Sequence, residues 1–162
     1  FFIDKIQESQ EFDKNVDKLA SNLAEKFFEG NPDNFLDSVS DELNLLGVLY
    51  NVLEKNVYKR GLCELLERDE WDELGDVVGI VRDFEGIDKR FAALLKNDGW
   101  GNDAKVFIGG SPLMKSDSLS IILDKLDNGP NECLIALIGP KRMDYKTNLG
   151  LLKRIKEYVR RK

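Results

Sequence analysis

The sequence predicts an α+β protein in which a helical N-terminal half is followed by a small, antiparallel three-stranded sheet covered by a C-terminal helix. Two changes of period carry this reading. Apolar residues recur at helical spacing as far as Leu95, give way to short apolar runs punctuated by turn residues between Lys105 and Ile138, and return to helical spacing near the C-terminus.

From Phe1 to Glu29, Phe2, Ile6, Phe12, Val16, Leu19, Leu23 and Phe27 mark one face of an amphipathic helix. It is either continuous or broken near Ser9, and Gly30-Asn31-Pro32 ends it. A second helix is expected from about Pro32, whose fixed φ suits a first turn, with Asn31 as its cap. Its apolar positions, Phe35, Leu36, Val39, Leu43, Leu46, Leu49, Tyr50 and Leu53, form a face wide enough to be central to packing or to a partner interface. A short segment holding Gly61 and an acidic stretch from Glu67 to Glu73 follow. Asp69 then caps a helix carrying Leu74, Val77, Val78, Val81 and Phe84, and a turn near Gly86 leads to Ile87, Phe91, Leu94 and Leu95. Gly99-Trp100-Gly101-Asn102 closes this half.

Lys105 to Ile108 reads as a strand stopped by Gly109-Gly110-Ser111-Pro112, and Ser118 to Leu123 as a second. Asp127-Asn128-Gly129-Pro130 is a turn, Glu132 to Ile138 a third strand, and Gly139-Pro140 its end. Leu149, Leu152, Ile155 and Val159 then share a helical face over about 144–159, with Arg160, Arg161 and Lys162 at the negative end of the helix dipole.

Composition narrows the function. No apolar run among the 162 residues reaches the ~18 needed to cross a bilayer. The chain opens Phe1-Phe2-Ile3-Asp4 without a methionine or leader, and so reads as a piece of a longer polypeptide. Cys63 and Cys133 form neither a disulfide pattern nor a thiolate metal site and fit a reducing, cytoplasmic setting. Histidine is absent, which removes imidazole bases, Ser/His and Cys/His pairs and His-liganded zinc. Residues 1–100 hold 12 Lys and Arg against 23 Asp and Glu, whereas residues 101–162 hold 12 against 7. The acidic part would repel phosphates, so tight nucleic-acid binding is not expected of this chain alone.

Candidate sites read mostly as structure. Gly109-Gly110-Ser111 lacks the spacing of a dinucleotide or phosphate loop and reads as a turn. Gly139-Pro140-Lys141-Arg142-Met143 reads as a strand-to-helix connection with Asp144 as the helix cap, a site for an anionic partner being the alternative. Asp69, Glu70, Asp72 and Glu73 lack calcium-loop spacing. Trp71 and Trp100 read as packing anchors, and Ser118, Ser120, Asp124 and Lys125 form no catalytic arrangement. No catalytic residue, metal or cofactor is expected.

Four blocks nevertheless carry a pattern: Tyr58 to Leu66, Val106-Phe107-Ile108-Gly109, Ser116 to Ser120, and above all Ala136-Leu137-Ile138-Gly139-Pro140-Lys141-Arg142-Met143-Asp144-Tyr145. In this order they resemble the C-terminal part of the heat-inducible transcription repressor HrcA. Gly61, Leu65 and Leu66 match the first block of that family, Gly109 the second, and Gly139, Pro140, Arg142, Met143 and Tyr145 the last. Lys141 replaces the usual threonine, Gly110-Ser111-Pro112 stands where acidic residues and Asn are common, and Cys63-Glu64 departs from the usual Asn-Leu-Leu. The segment between Glu29 and Val57 is too short for both the early GAF-like strands and a full dimerising insert, which marks a divergent or reduced member.

The resemblance implies a helical linker and dimerisation region over 1–56 and a reduced GAF-like regulatory region over 57–162. The winged-helix domain lies outside this chain. It further implies a homodimer, with helices at 1–29 and 33–55 as the dimer candidates, operator binding only through the winged-helix domain, and a chaperonin as a partner. The leading expectation is thus the dimerisation and regulatory part of a repressor of chaperone genes. The alternative is a small-molecule sensor domain, which requires a partly apolar pocket between sheet and helices.

Overall fold

The apolar run from Leu45 to Tyr50 is too evenly hydrophobic to have one wet face, and in the fold both of its faces are covered. The computed structural model describes residues 2–97, 103–128 and 131–161. The stop expected over 99–102, with Trp100, and the Gly129-Pro130 turn lie outside the described residues, as do the side chains of Phe2, Ile6, Phe12 and Leu95.

Helix α1 (Phe2–Phe28) runs unbroken past Ser9, and α2 (Pro32–Leu43) follows. The Asn31 side chain caps α2 as expected, its Oδ1 accepting from Asn34 N–H at 3.2 Å. The helix does not continue to Leu53. Asn44 takes a left-handed φ of 54° and its N–H donates to the Ser40 carbonyl at 2.8 Å, which closes α2. Strands β1 (Leu46–Asn51) and β2 (Asn56–Arg60) occupy the segment read as the end of that helix and the short stretch after it. Next come the single turn α3 (Leu62–Leu66) and the long α4 (Leu74–Asn97).

Helix α4 departs from expectation twice. It begins well after Asp69, so Asp69 is not its cap, and it passes straight through Gly86, over which the Arg90 guanidinium lies. Strands β3 (Lys105–Ile108), β4 (Leu119–Asn128) and β5 (Asn131–Pro140) and helix α5 (Tyr145–Arg161) complete the chain.

The sheet therefore has five strands rather than three, ordered β2-β1-β5-β4-β3, every neighbouring pair antiparallel. It is covered on both faces rather than by the C-terminal helix alone. Alternation along each strand sends Leu49, Ile122, Ile135 and Leu137 toward α1, α2 and α5. The residues between them, Val48, Tyr50, Ile121, Leu123, Leu134 and Ala136, point toward α3 and α4. Each fully buried leucine or isoleucine on these faces contributes about 1.5–3 kcal/mol. On the α4 side Tyr50 stacks on Phe91 with ring centroids 5.8 Å apart and planes 3° from parallel. Open, antiparallel and flanked by helices, this arrangement is a GAF-like α+β fold.

Polar contacts tie the layers together. Lys59 Nζ on β2 donates to the Phe84 carbonyl at 2.8 Å and pairs with Asp88 of α4 at 2.9 Å. Lys156 of α5 reaches Asp124 of β4 at 2.8 Å, and both are buried. Removing one partner of such a pair leaves the other charge stranded, which costs more than the intact pair contributes.

The start of α5 is fixed by Asp144, as its sequence position predicts. Its Oδ1 accepts from Thr147 N–H at 3.1 Å and its Oδ2 from Thr147 Oγ1 at 2.6 Å. These hydrogen bonds, the side-chain one first, hold the carboxyl below its ordinary value of 3.8. A depressed folded pKa contributes stability that is full above the unfolded value and is lost as pH falls through the folded one. Asp144→Ala is expected to lower stability by about 1 kcal/mol near neutral pH. In urea titrations its deficit should narrow as pH drops below 3.8. A deficit of constant size down to strong acid would remove the ionised carboxylate from the cap.

Candidate functional site

Leu45, the last residue before β1, packs between two glycines that are far apart in sequence. Gly61 joins β2 to α3 with φ +103°, and a Cβ there would lie 2.6 Å from the Leu45 carbonyl oxygen and 2.7 Å from Ser40 Cβ. Gly139 near the end of β5 is the counterpart: a Cβ there would run into Leu45 Cδ2 and come within 3.0 Å of Met143 Sδ. Ser40 Oγ donates to the Arg60 carbonyl at 2.9 Å and holds α2 against this corner.

The remaining residues singled out in the sequence sort around this point. Met143 is buried, and its N–H donates to the Pro140 carbonyl at 3.1 Å, making the tight turn from β5 toward α5. Tyr145 donates its hydroxyl to the Lys141 carbonyl, and Arg142 is exposed. Gly109, at φ +64°, lies close enough that an added Cβ would sit 2.8 Å from Lys141 Cε, so the β3 turn adjoins the β5–α5 corner. Leu65 and Leu66 do not join this cluster. They pack against the opposite face of the sheet, Leu65 fully buried.

Beside the corner opens a cleft of about 260 Å³, with Trp71 and Asp76 on one side, Asp117 and Ser118 on another, and Pro140 and Lys141 on the third. Two of its polar side chains are engaged with each other and a third with the backbone. Ser118 Oγ donates to Asp76 Oδ1 at 3.0 Å, and Trp71 Nε1 donates to the Leu65 carbonyl at 2.7 Å while its ring packs on the α4-side core.

Ser120 and Asp124 are buried in the sheet, and Lys125 pairs with Glu132 at 3.3 Å. Burial, with the charges of Asp127, Glu54 and Glu132 behind it, pushes the Cys133 thiol up to about 11, so it stays protonated. Among the described residues no group of three or more Cys, Asp or Glu side chains could hold a metal ion, and no helix is long and apolar enough to cross a membrane. The arrangement is suited to fixing geometry and presenting a mixed-charge surface.

Two residues central to this region were missed in the sequence. Leu45 opens an apolar run, Leu45 to Tyr50, and has no signal of its own within it. Asp83 was overlooked, although it falls on the buried stripe of α4 between Ile80 and Ile87, where a carboxylate needs a reason to be. It is 2% exposed; its Oδ1 accepts from Arg90 Nη1 at 2.8 Å and Lys115 N–H at 2.9 Å, and its Oδ2 accepts from Ser116 N–H at 2.8 Å. It thereby pins the β3–β4 connection, which forms one wall of the cleft, to α4.

Comparison with known families decides what these blocks are. The family described as HrcA protein C terminal domain matches residues 5–148. The chain belongs to the HrcA family. The match runs continuously from α1 into the first turn of α5 and includes every block named above. No curated protein matches the chain. Two solved chains do, among them one titled "Crystal structure of a hypothetical protein at 2.2 A resolution". That chain is 20% identical to this HrcA-family member, with a TM-score of 0.46, and the match covers 64% of this chain and 33% of that one.

The glycine geometry gives an ordered prediction for this HrcA-family chain. Gly61→Ala meets both a left-handed φ and a backbone oxygen that cannot move aside, and should cost about 3 kcal/mol or more. Gly139→Ala presses only on the Leu45 and Met143 side chains and should cost about 1–2 kcal/mol. Gly150→Ala, in α5 with nothing within 4 Å of the added Cβ, should stabilise by about 0.5–1 kcal/mol. Thermal and denaturant midpoints check the order; equal losses at positions 61 and 139 would show that Leu45 is not confined as described.

Proposed function

We propose that this chain is the dimerisation and regulatory part of a heat-shock transcriptional repressor that acts in the cytoplasm without covalent chemistry. In full length it binds an inverted-repeat operator through a separate winged-helix domain and represses chaperone genes, with a chaperonin as partner. Membership of the HrcA family over residues 5–148 is the observation that carries this reading. An inverted repeat is read by two copies related by a two-fold axis, so a module of this kind has to set the spacing of two DNA-binding domains. The acidic balance of residues 1–100 accords with a part that stays away from phosphates.

The dimer contact moves from where the sequence suggested. The stripe of α1 from Val16 to Phe27 is folded against the sheet and its helices, α2 buries Phe35, Leu36 and Val39, and the supposed helix over 33–55 is in part the central strand β1. Apart from the lone Leu53 in the β1–β2 turn, exposed apolar side chains lie on the outer face of α4 at Leu74, 79% exposed, and Val78, 44%, with Val77 and Val81 alongside. A second exposed pair, Val106 and Ile108, lies on edge strand β3, where the exposed Lys105 discourages strand-to-strand pairing. The exposed apolar side chains on α4 support our reading of that face as the two-fold contact.

Sedimentation equilibrium is expected to show a reversible dimer. Leu74→Asp with Val78→Asp should give a monomer of unchanged circular dichroism, whereas Val106→Asp should leave the dimer intact. A wild-type chain that stays monomeric at about millimolar concentration, where even weak association of folded proteins is populated, would end the dimer reading.

A further inference from the structure

Where α1 ends, the sheet beneath it is incompletely covered, and a cavity of about 360 Å³ opens there. Its floor is two rungs of the sheet: Tyr58 stands opposite Leu49 across the β2–β1 pair, and Asn51 opposite Cys133 across the β1–β5 pair. Phe27 and Phe28 form the roof, with Pro32 beside them. Phe27 meets Phe28 edge-on at 6.0 Å between centroids and 72°, and Phe35 at 5.4 Å and 73°, which fastens the roof to the core. Leu49 and Cys133 are buried, Asn51 and Tyr58 are partly buried, and Glu54 in the β1–β2 turn stands at the rim.

Glu54 is the charged side chain in the lining of this cavity. The Glu54 Oε2 accepts from Asn56 Nδ2 at 3.4 Å, and no lysine or arginine pairs with the carboxylate among the described residues. Its charge, together with those of Asp127 and Glu132, is felt by the Cys133 thiol at the floor, whose pKa rises to about 11, chiefly through burial. Phe27, Phe28 and Tyr58 put three aromatic rings in the same lining, and an aromatic ring carries a negative face.

What such a space accepts can be narrowed by desolvation. A metal ion needs several hard oxygen ligands, and the cavity has one carboxylate. A primary ammonium is strongly hydrated and loses more on leaving water. A methylated ammonium carries its charge under an apolar shell, sheds water cheaply and is attracted to ring faces. An anion would be repelled by the carboxylate.

We propose that this cavity binds a small organic cation bearing a methylated ammonium group, seated against Phe27, Phe28 and Tyr58 with its charge directed toward Glu54. The proposal stands on the cavity alone and holds whichever way the dimer experiment turns out.

Choline is the probe, and the control is its neutral carbon isostere, in which a tert-butyl group replaces the trimethylammonium. Titration of the 162-residue chain by heteronuclear NMR is expected to shift the Leu49, Tyr58 and Cys133 resonances saturably with choline. The neutral isostere is expected to bind about tenfold more weakly. Glu54→Gln, at an exposed turn, should weaken choline binding about fivefold or more with the thermal midpoint unchanged, separating lost binding from lost fold. Tyr58→Leu should weaken it to a similar degree, and Tyr58→Phe, which keeps the ring, should retain it. Equal affinity for cation and isostere overturns the proposal. So do shifts that scatter over the surface without saturating, or choline binding that survives both Glu54→Gln and Tyr58→Leu.

Discussion

The fold hinges on the confinement of Leu45. At this residue the chain leaves α2 and enters a strand that lies between β2 and β5, so the corner must accommodate both the preceding helix and two other chain segments. A side chain at Gly61 or Gly139 would occupy space that Leu45 already fills. Two of the blocks that resemble the family, one around Gly61 and the other around Gly139, are therefore two sides of one packing problem. Their spacing along the sequence hides this, because they are brought together by β1, which carries no motif at all.

The elements that stand alone were the legible ones. Asn31 and Asp144 announce their helices because capping is a local matter of one side chain and the N–H groups just after it. Strands β3, β4 and β5 were found, with the last two longer than expected, because turn residues bracket them. β1 was lost for a physical reason. A strand covered on both faces has no alternation to display, and Leu43, Leu46, Leu49, Tyr50 and Leu53 also satisfy helical spacing, so Phe35 through Leu53 read as one helix. β2 was lost with it, since an edge strand as short as Asn56–Arg60 is recognised mainly by its partner. β1 lies within the segment between Glu29 and Val57, which is too short for both early strands and a full dimerising insert.

The same logic applies to the candidate site. The sequence pointed to the β5–α5 corner and to Gly61, and these residues do meet around Leu45, but Leu65 and Leu66, read as part of the same block, face the other side of the sheet. Sequence neighbours one turn of helix apart can serve different layers. Asp83 carried a usable signal that was not read. A carboxylate on the buried stripe of a helix has to be fully hydrogen-bonded, and its donors come from Lys115 and Ser116, far along the chain, as well as from Arg90.

The two faces of the sheet differ in a way that bears on regulation. On the α4 side, Tyr50 against Phe91 and the leucines and isoleucines around them make a filled layer. A signal reaching that side has to act at its outer surface. On the other side α1 lies on α5 through Ala20, Leu23 and Ala24, helped by surface contacts such as Arg154 with Asp13 and the Tyr158 hydroxyl with Asp17. Exposed polar contacts of this kind add little to stability. The docking of α1 thus depends on its apolar stripe, and the end of that stripe, Phe27 and Phe28, roofs the cavity. A ligand held beneath those rings binds only while α1 is docked, and by linkage it favours docking by RT ln(1 + [L]/Kd), without touching any other part of the molecule. Occupancy of the cavity and the placement of the N-terminal helix are then one equilibrium.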